Sequence, residues 1–305
     1  MKPFRHIQVV FTLLAGLAAC SSATVTEGYQ LRYDFSKPES RIDLPPILNE
    51  ISGQAILDDS TIACVQDENG IIFLFDTRKN SVRQQLTFAG DGDYEGICRV
   101  NNDLYVLQSD GVLYHVIDFA SPAPRSEQFT TGIPADNSEG LCYDSLGNRL
   151  LIACKSRIGE NKEDKDLRAV YAFDLSAMKL QPEPAYEFFV SEAIEFADAH
   201  GVQLPQKEKK KGSVSVLKFR MSAIAVHPVT QEVYVLSAVD HALFVFSRTP
   251  QETGAGEMLH MELLDEDKFN KAEGISFYPD GDVLISNEAQ DKKPTLMRFD
   301  YQETK

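Results

Sequence analysis

Short apolar runs separated by turn residues fill the chain from about residue 50 to residue 300. One phrase recurs: a polar or acidic residue, a small residue, then an apolar run. It reads Ile51-Ser52-Gly53, Tyr94-Glu95-Gly96-Ile97-Cys98, Ser138-Glu139-Gly140-Leu141-Cys142, Met221-Ser222-Ala223-Ile224-Ala225 and Ala272-Glu273-Gly274-Ile275-Ser276, at spacings of 43, 44, 83 and 51 residues. Each copy leads into turn residues such as Asn101-Asn102-Asp103 or Pro279-Asp280-Gly281. A second apolar run follows (61–65, 104–107, 150–154, 233–236, 283–286), then a third (71–76, 112–118, 169–174, 242–247, 295–300), and a weaker, more polar fourth, as in 81–86. Four short strands per roughly 40–50 residues, with turns between them, is the pattern of a β-propeller blade. The predicted fold is therefore all-β, a propeller of four-stranded blades. Five blades are expected, with six as the alternative if the 83-residue gap hides one more.

That gap also reads as an insertion near 191–212. Residues 191–201 fit a helix with Ser191 as N-cap and Gly201 as C-cap, and Lys207 to Lys211 fit a charged, solvated loop. The sharper alternative for the lysine run is contact with a membrane surface or a partner. The last unit stops after its third strand, near Asp300. Residues 39–44, just before the first repeat, fit the missing fourth strand, which would close the ring and cover an edge that otherwise invites aggregation.

In a propeller blade the first strand is innermost and the second runs back to the same face. Strand-one starts and strand-two ends therefore meet at one channel mouth. The starts supply Ser52, Glu95, Glu139, Ser222 and Glu273; the ends supply Gln66 with Asp67, Gln108, Lys155, Ser237, and Asn287 with Glu288. The candidate ligand-binding set is Ser52, Glu95, Glu139, Ser222, Glu273, Lys155, Gln108 and Asn287. Carboxylates converging on one axis need a cation, a basic side chain such as Lys155 or Arg157, or raised pKa values. Hard oxygen ligands of this kind suit Ca²⁺, with Glu95, Glu139, Glu273 and Glu288 as the candidate metal set. The structural alternative is that each Glu binds strand-end groups and locks the blades together. Gly96, Gly140 and Gly274 fit tight packing near a crowded axis.

The remaining composition narrows location and partners. The 305 residues carry 30 basic and 46 acidic side chains, a net charge of −16 that repels phosphate backbones and makes nucleic acid an unfavourable partner. Lys2 and Arg5 precede the apolar run Ile7 to Leu17, too short to span a bilayer, and Leu17-Ala18-Ala19-Cys20 resembles a bacterial lipobox. The expected organisation is a lipoprotein signal peptide over 1–19, a lipidated Cys20 and tether over 20–38, and one propeller over 39–305. Acylated Cys20 would bind the lipid bilayer, and Ser21 after it resembles an outer-membrane rather than an inner-membrane sorting signal. Cys64, Cys98, Cys142 and Cys154 sit inside apolar runs. Export permits disulfides, but buried free thiols are the expected state.

These phrases resemble the SdiA-regulated family of bacterial β-propellers, in its lipoprotein members of Bacteroidetes type. The resemblance rests on Ile51-Ser52-Gly53, Asp93-Tyr94-Glu95-Gly96-Ile97, Asp103-Leu104-Tyr105-Val106-Leu107, Glu139-Gly140-Leu141-Cys142-Tyr143-Asp144, Ala169-Val170-Tyr171-Ala172-Phe173-Asp174, Ser222-Ala223-Ile224-Ala225-Val226-His227-Pro228 and Glu273-Gly274-Ile275-Ser276-Phe277, in order over about residues 40–300. It implies a propeller held at the cell envelope. Members are also similar to calcium-dependent propeller enzymes of the phytase-like kind, a fold-level analogy. The sequence holds no G-x-S-x-G, no H-E-x-x-H, no P-loop and no dinucleotide fingerprint, and His227 and His241 read as packing or surface residues. The expected function is a monomeric, membrane-anchored periplasmic or surface propeller that binds a protein or small ligand at its mouth without catalysis. The alternative is a calcium-dependent phosphoesterase or lactonase-like hydrolase using the mouth carboxylates.

Overall fold

The computed structural model describes residues 28–135, 137–155, 158, 165–210, 212–248 and 256–303. The signal-peptide and lipidation residues, Cys20 among them, lie outside the described residues, as do Arg157 and Lys211. By internal contacts the chain divides into residues 1–30 and 31–305. All the strands among the described residues belong to the second unit.

The chain opens with β1 (Ser40–Asp43). The first blade is then β2 (Ile51–Asp58), β3 (Thr61–Gln66), β4 (Asn69–Asp76) and β5 (Ser81–Asp91). The second is β6 (Tyr94–Val100), β7 (Asp103–Gln108), β8 (Val112–Ile117) and β9 (Arg125–Thr130). The third is β10 (Ser138–Asp144), β11 (Arg149–Cys154) and β12 (Leu167–Asp174), with the two short pieces β13 (Lys179–Leu180) and β14 (Tyr186–Phe189) both paired to β12. After the helix α1 (Val190–His200) and a hairpin of β15 (Gln206–Lys209) and β16 (Gly212–Ser215) comes the fourth blade: β17 (Ala223–Val226), β18 (Val233–Ser237), β19 (Ala242–Phe246) and β20 (Met258–Leu263). The fifth is β21 (Ala272–Phe277), β22 (Val283–Asn287) and β23 (Thr295–Phe299), completed by β1 in the order β1-β23-β22-β21. The innermost strands touch in a ring, β2 to β6 to β10 to β17 to β21 and back to β2. The fold is thus a five-bladed β-propeller, and the six-bladed alternative does not hold.

Ring closure follows the expected register. Ser40 to Asp43 pair with Arg298 to Thr295, antiparallel. The segment ahead of β1 is packed more tightly than a tether: Tyr33 and Phe35 are buried. The Tyr33 hydroxyl donates to Gly281 O at 2.6 Å and meets His227 Nε2 at 2.8 Å, while Phe35 lies against Phe269 and Phe299. Residues 31–38, expected as tether, therefore belong to the propeller. His227 is fully buried; its Nδ1 accepts the Val229 and Thr230 amides, and burial, aided by Arg32, pushes its pKa down to about 4 and keeps the ring neutral.

The hydrophobic core lies in slabs between neighbouring blades rather than at one centre. Val65 and Leu74 of the first blade meet Ile97 and Val106 of the second; Tyr105 and Leu107 meet Ile152 and Tyr171 of the third. The inserted helix seals the seam between blades three and four, burying Val190, Ala193 and Ala197 with Phe219 and Phe246. Gly201 ends it in the left-handed region at φ 73°, as expected. Its start differs from expectation. Phe189 is the N-cap, Ser191 lies inside the first turn, and Asp166 from across the sheet accepts the Ser191 amide at 2.9 Å. The carboxylate of a neighbouring segment thus does what a local cap would do. The lysine-rich stretch is a strand and turn of an exposed hairpin rather than a loop. All four cysteines described are free and buried, with the Cys154 thiol pushed up to about 12 by burial.

Deleting residues 39–44 leaves β23 as a bare edge. The expected outcome is a lower melting temperature and loss of the monomer peak in size-exclusion chromatography, against unchanged behaviour if the ring closes without β1.

Candidate functional site

Five inner strands meeting at one axis leave little room for side chains. A Cβ on Gly96 would sit 2.9 Å from Glu139 O and from Leu141 Cβ; one on Gly140 would sit 2.9 Å from the Ile224 amide. A Cβ on Gly274 would collide with the Gln54 amide and the Ser286 hydroxyl. None of these glycines has a positive φ, so close approach, not backbone freedom, selects them.

The pairing of strands one and two breaks at the same place in four blades. The register shifts between Ile51 and Gly53, Tyr94 and Gly96, Ser138 and Gly140, and Ala272 and Gly274. The residue skipped each time is Ser52, Glu95, Glu139 or Glu273. A bulge re-aims its extra side chain, and here all four side chains turn to the axis. In the fourth blade Ser222 takes the place just before β17. These five residues line one axial space with a free volume of only about 10 Å³, about the room of a single water. Its floor is the next inward-facing layer, Gln54, Ile97, Leu141, Ile224 and Ile275. Below that floor a second cup of about 180 Å³, lined by residues such as Cys98, Cys142 and Phe277, opens to the opposite face.

The two serines are structural. Ser52 Oγ donates to Tyr94 O of the next blade at 2.5 Å, and Ser222 Oγ donates to Ala272 O of the next blade at 2.8 Å. Gln54 adds a third staple: its Nε2 donates to Leu284 O at 3.1 Å, and its Oε1 accepts Ser286 Oγ at 2.6 Å.

The three glutamates differ from one another. Glu139 is buried and ion-paired with Lys155. Burial acts against the Lys155 ammonium, but Glu139, Glu273 and Glu95 outweigh it and raise its pKa. Glu273 lies 3.6 Å from Lys271 Nζ, whose main partner is Glu288. Burial above all, then Glu139, pushes Glu273 up to about 8. Glu95 has no ion pair among the described residues; burial, Glu139 and Asp93 outweigh the more distant Lys155 and push it up to about 9. Nearby Asp67 rises to about 6 through burial and then Glu50, Glu288, Glu68 and Asp93. At neutral pH the mouth therefore holds protonated carboxyls above a largely apolar floor, ringed, among the described residues, by further carboxylates and the two ammonium groups of Lys155 and Lys271.

The other expected site residues lie apart from the axial space. Gln108 accepts the Tyr114 hydroxyl at 3.0 Å within its own blade. Asn287 is fully buried and donates to Thr295 Oγ1 at 3.1 Å. Gln66 closes its own turn by accepting the Glu68 and Asn69 amides. The set Glu95, Glu139, Glu273 and Glu288 does not assemble for calcium. Three of its members, Glu139, Glu273 and Glu288, are drawn to lysines, and among the described residues no three His, Cys, Asp or Glu side chains group so as to hold a metal ion. Lys271 was missed from the sequence. Its signal was the Lys271-Ala272-Glu273 alternation, which puts both side chains on one face of the chain.

No protein-family model matches the sequence, and no curated protein matches it. Among solved structures, the chain is similar to glutaminyl cyclase of Myxococcus xanthus at 11% identity and a TM-score of 0.56, covering 88% of this chain and 97% of that one. It is also similar to a chain of a nidogen/laminin complex (12% identity, TM-score 0.47, 78% of this chain and 72% of that one) and to U3-55K (12%, 0.47, 82% and 80%). At 11% identity the likeness to the glutaminyl cyclase speaks for the fold alone.

Replacing Glu95 or Glu273 by Gln tests the electrostatics. Both carboxyls have folded pKa values above the ordinary value near 4.5. The native state then keeps protons that the unfolded chain releases, so stability declines as pH rises from about 4.5 towards 8–9. Gln has no such loss. Each variant is expected to melt several degrees higher than the parent at pH 7.5 and to match it near pH 4.5. Burial raises the Glu139 pKa too, against the pull of Lys155, so Glu139→Gln is expected to match the parent near pH 4.5 and to gain less than the other two variants at pH 7.5, because it strips Lys155 of its partner.

Proposed function

We propose that this chain is an envelope-anchored, non-catalytic five-bladed propeller whose axial mouth captures a ligand through a cationic group. The observation that carries the reading is the uncompensated carboxyl set at the mouth. Glu95 and Glu273 are held away from their ordinary ionisation by burial and by each other's neighbours, an arrangement that lowers stability and that binding a positive charge would relieve. The 10 Å³ axial space admits only the tip of such a group. The rest of the ligand lies on the face around it, which suits a protein side chain or a small amine. The described histidines engage partners away from the axial space, His115 with Asp103 and His241 with Phe269 O among them. The lipid anchor rests on Leu17-Ala18-Ala19-Cys20 and the apolar run before it. No helix among the described residues is long and apolar enough to cross a membrane.

Calorimetric titration of the folded protein with cadaverine, a trilysine peptide and calcium chloride tests the mouth. The proposal expects an ammonium probe to bind the parent and not the Glu95→Gln/Glu139→Gln/Glu273→Gln variant. Binding of calcium alone, or equal binding by both proteins, contradicts it. For the anchor, Cys20→Ser is expected to leave the membrane fraction on cell fractionation; equal retention contradicts lipidation.

A further inference from the structure

A second polar feature lies on the mouth face, at the seam of blades three and four. β11 ends and β12 begins on that face, and Arg220 stands two residues before Ser222 of the axial ring. There a cavity of about 330 Å³ is walled by Lys165, Arg168, Lys218 and Arg220, with Asp166 as its one carboxylate and Val190 and Leu217 supplying apolar surface. Four cations around one cavity are unexpected in a chain of net charge −16.

The cations are not explained by ion pairs. Among the described residues, none of the four takes part in a salt bridge. The two carboxylates nearby are committed elsewhere. Asp166 accepts the Ser191 amide and hydroxyl at the start of α1. Asp240 accepts the Lys218 amide at 2.9 Å, the Phe219 amide at 2.8 Å and the Ser237 hydroxyl at 2.6 Å. Arg168 is 8% exposed, and its guanidinium donates to four main-chain carbonyls, of Phe219, Lys165, Leu167 and Lys218. Those bonds clamp the two chain segments together and fix the charge at the cavity wall. Burial, and then the nearby Arg220, disfavour that charge more than Asp166 and Asp240 favour it. A guanidinium held rigidly in a wall of four cations, whose one lining carboxylate is engaged at the start of α1, is arranged for an oxyanion from outside.

We propose that this seam pocket binds the phosphate of a phosphate ester, with Arg220, Lys218 and Lys165 gripping the oxygens against the fixed Arg168. The apolar wall of Val190 and Leu217, and a volume beyond that of a bare phosphate, accommodate the organic part of the ester. Soluble esters and lipid headgroups offer the same chemistry.

The test uses the double variant Lys218→Ala/Arg220→Ala. Both side chains are exposed, and Arg168, the clamp, is left in place. Glycerol 3-phosphate is titrated by calorimetry, and phosphatidylglycerol vesicles by flotation, each at constant ionic strength. The Lys207→Ala/Lys209→Ala hairpin variant serves as a charge-matched control. The expected result is saturable binding of at least one probe by the parent and the hairpin variant, weakened at least roughly tenfold in the seam variant, whose melting temperature without ligand is unchanged. Glycerol 3-phosphate binding without flotation assigns a soluble ester, and flotation that the seam variant loses assigns a lipid headgroup. No binding of either probe by the parent, or equal weakening by the hairpin variant, overturns the proposal.

Discussion

The constraint on which this molecule depends is the crowding of five inner strands around one axis. At three of the five approaches there is space for a hydrogen atom and not for a methyl, and Gly96, Gly140 and Gly274 meet that demand. The bulge just before each of them expels one side chain from the ladder and sends it to the axis. Packing geometry and site geometry are thus one event: the strands can meet because a glycine is there, and the ring exists because the residue ahead of the glycine has nowhere else to go. The serine and glutamine staples between blades, Ser52 to Tyr94, Ser222 to Ala272 and Gln54 to Leu284, hold the ring at that spacing.

Electrostatics then separates the glutamates that the repeat makes look alike. Glu139 gains Lys155 and becomes part of the framework. Glu95 and Glu273 sit over Ile97, Leu141, Ile224 and Ile275 with too few cations nearby. A framework under selection for stability alone would replace such groups by glutamine, since a buried carboxyl that must stay protonated disfavours folding at neutral pH. The proposed binding role of the mouth rests on their presence there. The basic seam pocket follows the same logic with the opposite sign.

Blade count, ring closure by residues 39–44, the free state of the cysteines and the five axial residues were all legible in the sequence. Each follows from a repeated phrase or from burial pattern. What was not legible depends on contacts between segments far apart in the chain. The cap of α1 comes from Asp166, across the sheet, so the local Ser191 was misleading. Gln108 and Asn287 occupy the strand ends that symmetry assigns to the mouth, but each finds a hydroxyl in its own blade first. Tyr33 and Phe35 read as tether because nothing near them in sequence announces the aromatic pocket built by His227, Phe269, Phe277 and Phe299.

The central claim is that Glu95 and Glu273 are held out of their ordinary ionisation at the mouth. An NMR titration of the ¹³C-labelled glutamate carboxyl groups, assigned through the two Gln variants, measures this directly. The account predicts that both titrate above pH 7, near 9 for Glu95 and near 8 for Glu273, and that an ammonium ligand lowers both. Ordinary titration of the two near 4.5 would contradict it, and the axial ring would then be framework alone.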